Sequence, residues 1–503
     1  MSRANTKETR QRRARSNAKK HQIIPTWVLF VTPAMLIFMG YASEHYRKSR
    51  GLDPLLRRPL SKIASRIASR SSKSNEYMRR SLLTAEEDGA LEKYDGKTLH
   101  LIFSTDCSPY QHWQSYLVYY TAMKVKQPGH VTRIVSGCED TEADQMKSWF
   151  ENNISHMSKR FHLHFTPHFS QVVNEEGKIV GDYKFFNKPY GLRHWLQNFE
   201  LLGFNDGKFS NPDDIVILND PDMALTRPIT GDFSDMEETV ISKFRQGDKI
   251  LGTKVTRGMP FAQTYGLGVQ WQKFDLDKIA GPDSPAKQVS KEDGNLYYPV
   301  GAPYLGTLGD MYKIANKWSE FVPRVHAQYP HLLAEMYAYC IAAAHLKLPH
   351  QLIDSLMVSS PGTGGEGWPL VDVIPPSETC GFAQGPDHSK YSLPSVIHLC
   401  QRYSLGEEWF FGKRKIPTDI FECETPLFEE PPANLATLYD FKKPPNAKER
   451  TPLTPKVANE QAFMVCFLTS LLNEAATFYK KSGCSVESVN FQRSRTVADL
   501  FKN

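Results

Sequence analysis

The sequence predicts an α/β fold, a sheet alternating with helices whose ligands gather at the carboxyl ends of its strands. Three observations predict it. From residue 96 onward β-prone runs alternate with stretches of helical spacing. One strongly apolar run, Asp214 to Leu218, breaks off onto Asn219-Asp220-Pro221-Asp222. The 503 residues, 40% hydrophobic and 12% aromatic, can bury a large core, which excludes a disordered chain.

The elements follow in order. Residues 1–22 form a basic tail with Arg3, Lys7, Arg10, Arg12, Arg13, Arg15, Lys19 and Lys20. Residues 23–42 are an apolar run without a charge, about 20 residues, long enough to cross a hydrocarbon core of roughly 30 Å. The flank beyond carries the weaker set Arg47, Lys48, Arg50, Arg57 and Arg58. The positive-inside bias thus reads the run as a signal anchor, with the tail cytosolic and the rest lumenal. A cleaved signal peptide would have a shorter apolar region and a small-residue cleavage site. Residues 43–95 are polar, Arg- and Ser-rich and aperiodic, the signature of a stem. The net charge of +6 comes from these first segments, and the remainder is slightly acidic. A nucleic-acid-binding face is therefore not expected.

The main domain is expected over 96–425. Strands are predicted at Thr98 to Thr105, Arg133 to Val135, Phe161 to Thr166 and Asp214 to Leu218, with helices at Trp113 to Val125, Pro189 to Leu201 and Leu332 to His345. Residues 426–503 read as a C-terminal extension with one helix around Ser470 to Ala475. Eight cysteines all lie after the anchor, and none has the C-x-x-C spacing of a zinc site. Disulfides formed in the lumen are expected, with connectivity open. Asn153-Ile154-Ser155 is an N-glycosylation sequon.

Asp220 and Asp222 emerge together from the end of a buried strand. Carboxylate oxygens are the hard ligands that Mg²⁺ or Mn²⁺ prefers, and such ions complete their shell with phosphates and water. A second D-x-D, Asp275-Leu276-Asp277, follows no apolar strand and reads as a solvated turn or helix start. The run Gly362-Thr363-Gly364-Gly365-Glu366-Gly367 lacks the Gly-Lys-Ser/Thr ending of a phosphate cradle and reads as a mobile loop. No G-x-S-x-G elbow is present.

Asp220 with its flanks, Asn187-Lys188-Pro189-Tyr190, Trp195-Leu196, Gly301-Ala302-Pro303, Glu335-Met336-Tyr337-Ala338-Tyr339, Val396-Ile397-His398 and Glu408-Trp409 appear in an order that resembles the peptidyl hydroxyproline arabinosyltransferases. The chain is similar also to the peptidyl serine galactosyltransferases of plants and algae, over roughly residues 98–415. The resemblance implies a GT-A-like glycosyltransferase fold, a UDP-sugar donor, Mn²⁺ (or Mg²⁺), a hydroxyproline- or serine-containing protein acceptor, and retention of the anomeric configuration. It implies the Golgi, which together with the anchor makes the chain an expected single-pass type II membrane protein, the endoplasmic reticulum being the other compatible compartment. Asp220 stands where the arabinosyltransferases commonly carry Glu, and Asn187-Lys188 replaces their Asn-Arg, so arabinofuranose and galactose both stay open.

On this footing His398 is the third protein ligand beside Asp220 and Asp222, although a lone histidine is more often structural. Glu335, an acid on a largely apolar helix, is the group that orients sugar or acceptor, although most glutamates are surface acids. Lys188 and Lys413 are cations for the diphosphate. Asn187 joins them from the motif, and Thr105 and Asp106 from their place at the end of the first strand. Two other classes also fit the sequence: a lumenal sugar-binding or scaffolding protein, and a glycoside hydrolase, which needs two carboxyl groups about 5–9 Å apart.

Overall fold

Leu99, Leu101, Ile102 and Phe103 are all buried, so strand β1 (Lys97–Asp106) faces apolar layers on both sides, as a central strand of an α/β sheet must. The computed structural model describes residues 92–174, 176–242, 250–441, 453–496 and 499–500. The expected anchor and nearly all of the expected stem lie outside the described residues.

Helix α1 (His112–Lys124) leads from β1 to β2 (His130–Ser136), and α2 (Asp140–Asn153) leads on to β3 (Phe161–Thr166). A reciprocal capping box between Glu139 and Glu142 starts α2. Helix α3 (Asn187–Asn198) precedes β4 (Ile215–Asn219), and β6 (Phe261–Thr264), β7 (Val300–Thr307) and β8 (Gln351–Ile353) complete the sheet. Its order is β8-β6-β7-β4-β1-β2-β3, with Lys93–Tyr94 paired to the start of β1. Strands β3, β2, β1 and β4 run parallel, while β7 is antiparallel to both β4 and β6. The turn into β2 requires glycine: Gly129 has φ +78°, and a Cβ there would sit 2.0 Å from the Leu99 carbonyl oxygen.

The four expected strands all form, β4 one residue later than expected. Helix α4 (Leu308–Gln328) packs against α3 and against α5 (Ala334–His345), a helix buried on nearly every side. A small second sheet of β5 (Met223–Leu225), β9 (Met357–Val358) and β10 (Val396–His398) has the order β9-β10-β5. A hairpin of β11 (Arg402–Leu405) and β12 (Trp409–Gly412) follows it.

Near the C-terminus, α6 (Thr379–Gln384) packs on α7 (Pro455–Gly483), joined by the disulfide Cys380–Cys466. Among the described residues α7 is the one helix long and apolar enough to cross a membrane, but 72% of its apolar window is buried inside the protein. It is a core helix. Two more disulfides, Cys107–Cys138 and Cys423–Cys484, supply the connectivity that spacing left open, and Cys340 and Cys400 stay free.

The face of the sheet under α3 carries an array of histidines. His100 on β1 stacks on His130 of β2 at 5.5 Å, and His130 Nδ1 lies 3.0 Å from His162 Nε2 on β3. Two residues further along β3, His164 Nε2 meets His194 Nδ1 of α3 at 2.9 Å. Burial first, then the neighbouring imidazoles, push His100 down to about 3 and His162 and His164 down to about 4.

The glycine-rich run departs from a mobile loop, because its backbone is held at several points. Gly362 N–H donates to Glu460, the Gly365 carbonyl accepts from Gln263, and Gly367 N–H donates to the Met357 carbonyl. The second D-x-D is structural: Asp275 caps a short helix by accepting from Lys278 N–H, and Asp277 pairs with Lys287. Asn153 ends α2 half-buried, its side-chain amide donating to the Trp149 carbonyl at 2.8 Å.

Candidate metal and donor site

Strand β4 drives Asp220 out at its carboxyl end, and the chain turns at once through Pro221 and Asp222 into β5. β10 pairs antiparallel with β5 so that His398 stands opposite Met223, and Leu399 N–H donates to the Asp222 carbonyl at 2.9 Å. Strand pairing therefore sets an imidazole beside two carboxylates. The ligand atoms of Asp220, Asp222 and His398 all lie within 4.8 Å of one another. Among the described residues this is the one such group of three or more His, Cys, Asp or Glu side chains.

Two lysines close on the cluster. Lys188, in the first turn of α3, reaches Asp220 Oδ1 at 2.6 Å and Glu335 Oε1 at 3.0 Å. Burial would lower its ammonium, but both carboxylates raise it above the usual lysine range. Lys413, just past β12, pairs with Asp222 Oδ2, and His398 Nε2 lies 3.2 Å from Asp222 Oδ1. Burial alone would raise the Asp222 carboxyl, yet Lys413 and His398 hold it well below the usual carboxylate range. Burial likewise opposes a charged His398, and Cys400 and Asp222 raise it above the ordinary imidazole value.

Glu335 lies in the first turn of α5, buried, its N–H donating to the Tyr183 hydroxyl at 3.2 Å. Burial raises its carboxyl, Lys188 pulls it down and Asp220 pushes it up, with a net rise. Its Oε2 has no partner among the described residues, nor has the buried side-chain amide of Asn219.

Six of the nine expected site residues thus meet: Lys188, Asp220 and Glu335 on one side, Asp222, His398 and Lys413 on the other. The other three, Thr105 and Asp106 at the end of β1 and Asn187 at the start of α3, have partners of their own. Thr105 hydroxyl donates to the Ile134 carbonyl and accepts from Arg133 Nε, Asp106 pairs with Lys184 at 3.0 Å, and the Asn187 side chain accepts from Phe169 N–H. The sequence reading missed Tyr110, whose hydroxyl is pushed up by burial, with Lys413 opposing the rise and Asp222 adding to it. Its place four residues after Asp106, in the same strand-end loop, is the signal that could have found it.

The donor set suits a hard or borderline divalent cation. Two carboxylates and one imidazole leave coordination positions open for phosphate and water, the usual arrangement for Mg²⁺ or Mn²⁺.

No protein-family model matches the chain. Over 364 residues the chain is 25% identical to the peptidyl serine alpha-galactosyltransferase of Arabidopsis thaliana, a match covering 69% of this chain and 35% of that protein. That similarity supports the family suggested by the motifs. The chain spans about a third of the length of this relative. A solved structure, the apo form of the WbbM bifunctional glycosyltransferase, is 10% identical, covers 62% of this chain and 48% of its own, and superposes with a TM-score of 0.29. That overlap is too slight to carry an argument.

Proposed function

We propose that this chain is a metal-dependent glycosyltransferase that moves a sugar, galactose or arabinofuranose, from a UDP-sugar to a serine or hydroxyproline hydroxyl of a polypeptide. The observation that carries the proposal is the meeting of Asp220, Asp222 and His398 at the carboxyl end of β4, flanked by Lys188 and Lys413. The likeness to a peptidyl serine alpha-galactosyltransferase supports the acceptor class.

Asp220, Asp222 and His398 would hold Mn²⁺ or Mg²⁺. When bound, the cation supplies Lewis-acid stabilisation to the charge that develops on a departing diphosphate. Lys413, which pairs with Asp222, would add a second positive charge to the same region. Lys188 holds Asp220 and Glu335 in fixed relation. Glu335, with one oxygen unpartnered and its carboxyl raised by burial, orients a sugar or acceptor hydroxyl. With retention, the leaving diphosphate can itself accept the acceptor proton, and no strong dedicated base is needed. Three disulfides accord with a lumenal, oxidising compartment, and we place the chain in the Golgi as a type II protein anchored through residues 23–42.

Titrating UDP and Mn²⁺ together against the purified protein tests the reading. Cooperative binding of the two is expected. UDP affinity unmoved by Mn²⁺ would refute a metal-assisted donor site and leave a sugar-binding or scaffolding role.

A further inference from the structure

A buried side chain holds the backbone of His398 from behind. Tyr403, fully buried on β11, places its hydroxyl 2.8 Å from the His398 carbonyl oxygen and 2.8 Å from the Ser359 carbonyl oxygen, so one proton is shared between the two. The same oxygen accepts from Gln401 N–H at 3.4 Å. A side chain that bonds the backbone of a ligand residue fixes where that residue's ring is presented, much as outer-shell partners do at metal centres.

Tyr403 is in turn set by two clamps. Ser359, its second acceptor, gives both its N–H and its hydroxyl to the buried carboxylate of Glu366, each at 2.6 Å, and Ser360 N–H adds a third bond at 3.1 Å. This locks the turn that begins the glycine-rich run. From the other side, Ser404 N–H donates to Gln461 of α7 at 3.1 Å, pinning β11 next to Tyr403. Tyr403 also stands opposite Phe411 of β12, the strand that delivers Lys413 to Asp222. One hairpin therefore supports His398 through Tyr403 and reaches Asp222 through Lys413. Neutral contacts would serve mere packing equally well, yet here a buried carboxylate spends three hydrogen bonds on fixing the single turn that Tyr403 grips.

We propose that Tyr403 is the positioning residue for the metal ligand His398, held in place by the Glu366–Ser359 clamp. The inference rests on the reading of Asp220, Asp222 and His398 as the metal site. It is tested on the purified protein by Mn²⁺ binding, read from the electron paramagnetic resonance of free Mn²⁺, with Mg²⁺ measured by competition. Tyr403→Phe keeps the ring and removes the shared proton. Mn²⁺ affinity is expected to fall about tenfold, with a smaller loss for Mg²⁺, because a misplaced imidazole costs the transition ion most. A merely structural role would weaken both ions alike, so an equal loss, or Mn²⁺ affinity within about twofold of the wild type, overturns the proposal. Should Tyr403→Phe fail to fold, Glu366→Gln takes its place with the same expected ranking of the two ions, and unchanged Mn²⁺ affinity there overturns it as well. His398→Ala separates the two levels. Lost Mn²⁺ binding in that variant with none lost in Tyr403→Phe sinks the positioning role alone, whereas unchanged binding in His398→Ala sinks the ligand assignment beneath it.

Discussion

Lys188→Met removes the ammonium that stands between Asp220 and Glu335, whose oxygens lie 2.6 and 3.0 Å from its Nζ. At 3.0 Å and an effective dielectric near 20 the attraction lost to Glu335 is about 5.5 kcal/mol, and breaking a buried pair from one side typically costs about 3–5 kcal/mol. The buried carboxyl can escape part of that cost by taking up a proton. Neutralising a carboxyl with an ordinary value of 4.5 costs about 3.4 kcal/mol at pH 7 but only about 1.4 kcal/mol at pH 5.5. The sign follows from the direction of the shift. Glu335 is already raised in the folded protein, and losing Lys188 raises it further, so its contribution is intact below the unfolded value and is lost as pH rises toward the folded one. Lys188→Met should therefore lose about 3 kcal/mol at pH 7 and about 1 kcal/mol at pH 5.5 in urea denaturation. Adding Glu335→Gln should restore most of the loss at pH 7. A loss independent of pH, or a double variant whose losses simply add, would refute an ion-pair core at this position.

Asp222→Asn should abolish Mn²⁺-dependent UDP binding in calorimetry. It should also lower the thermal transition, because Lys413 and His398 lose their shared partner in a nearly buried place; an unchanged transition would count against that pair. Glu335→Gln should reduce turnover while UDP affinity stays near normal, and proton NMR of the first product should show a retained anomeric configuration; an inverted linkage contradicts the proposed chemistry. The histidine array predicts acid sensitivity: His100, His162 and His164 are depressed below 6.5 in the folded protein, so the stability they contribute is present above that value and lost as pH falls toward 4. Thermal scans between pH 7.5 and 4.5 should show the drop, and His164→Gln should make it shallower; an unaltered slope in that variant removes His164 from the account.

The parts of the site legible in the sequence were those carried by local pattern. An unbroken apolar strand followed by Asp220 and Asp222 locates a strand end without any tertiary information, and β4 adopts it. The helices were legible where spacing was regular, although α3 starts at Asn187, two residues ahead of its expected start, since Pro189 is tolerated in a first turn. Long-range pairing was not legible. Lys413 meets Asp222 across 191 residues, and Gln461 reaches Ser404 across 57. Neither spacing has a period to read. His398 and Lys188 came from motif resemblance, because a single histidine or lysine carries no local signal of its partner. The tethering of the glycine-rich run was hidden for the same reason, since its holders Gln263 and Glu460 lie on other elements.

The order in which the chain is made gives α7 a further consequence. Every candidate ligand precedes it, yet Glu460 and Gln461 hold Gly362 and Ser404, and Cys466 fastens the helix to Cys380. During vectorial synthesis the ligands thus emerge well before the helix that fixes their surroundings, and chains generally acquire structure from the N-terminus first. A nascent chain arrested ahead of Pro455 would contain all of the chemistry and none of its buttress. Completion of the site therefore waits until α7 has emerged, and the disulfide between Cys466 and Cys380 then ties that helix to the part of the chain made before it.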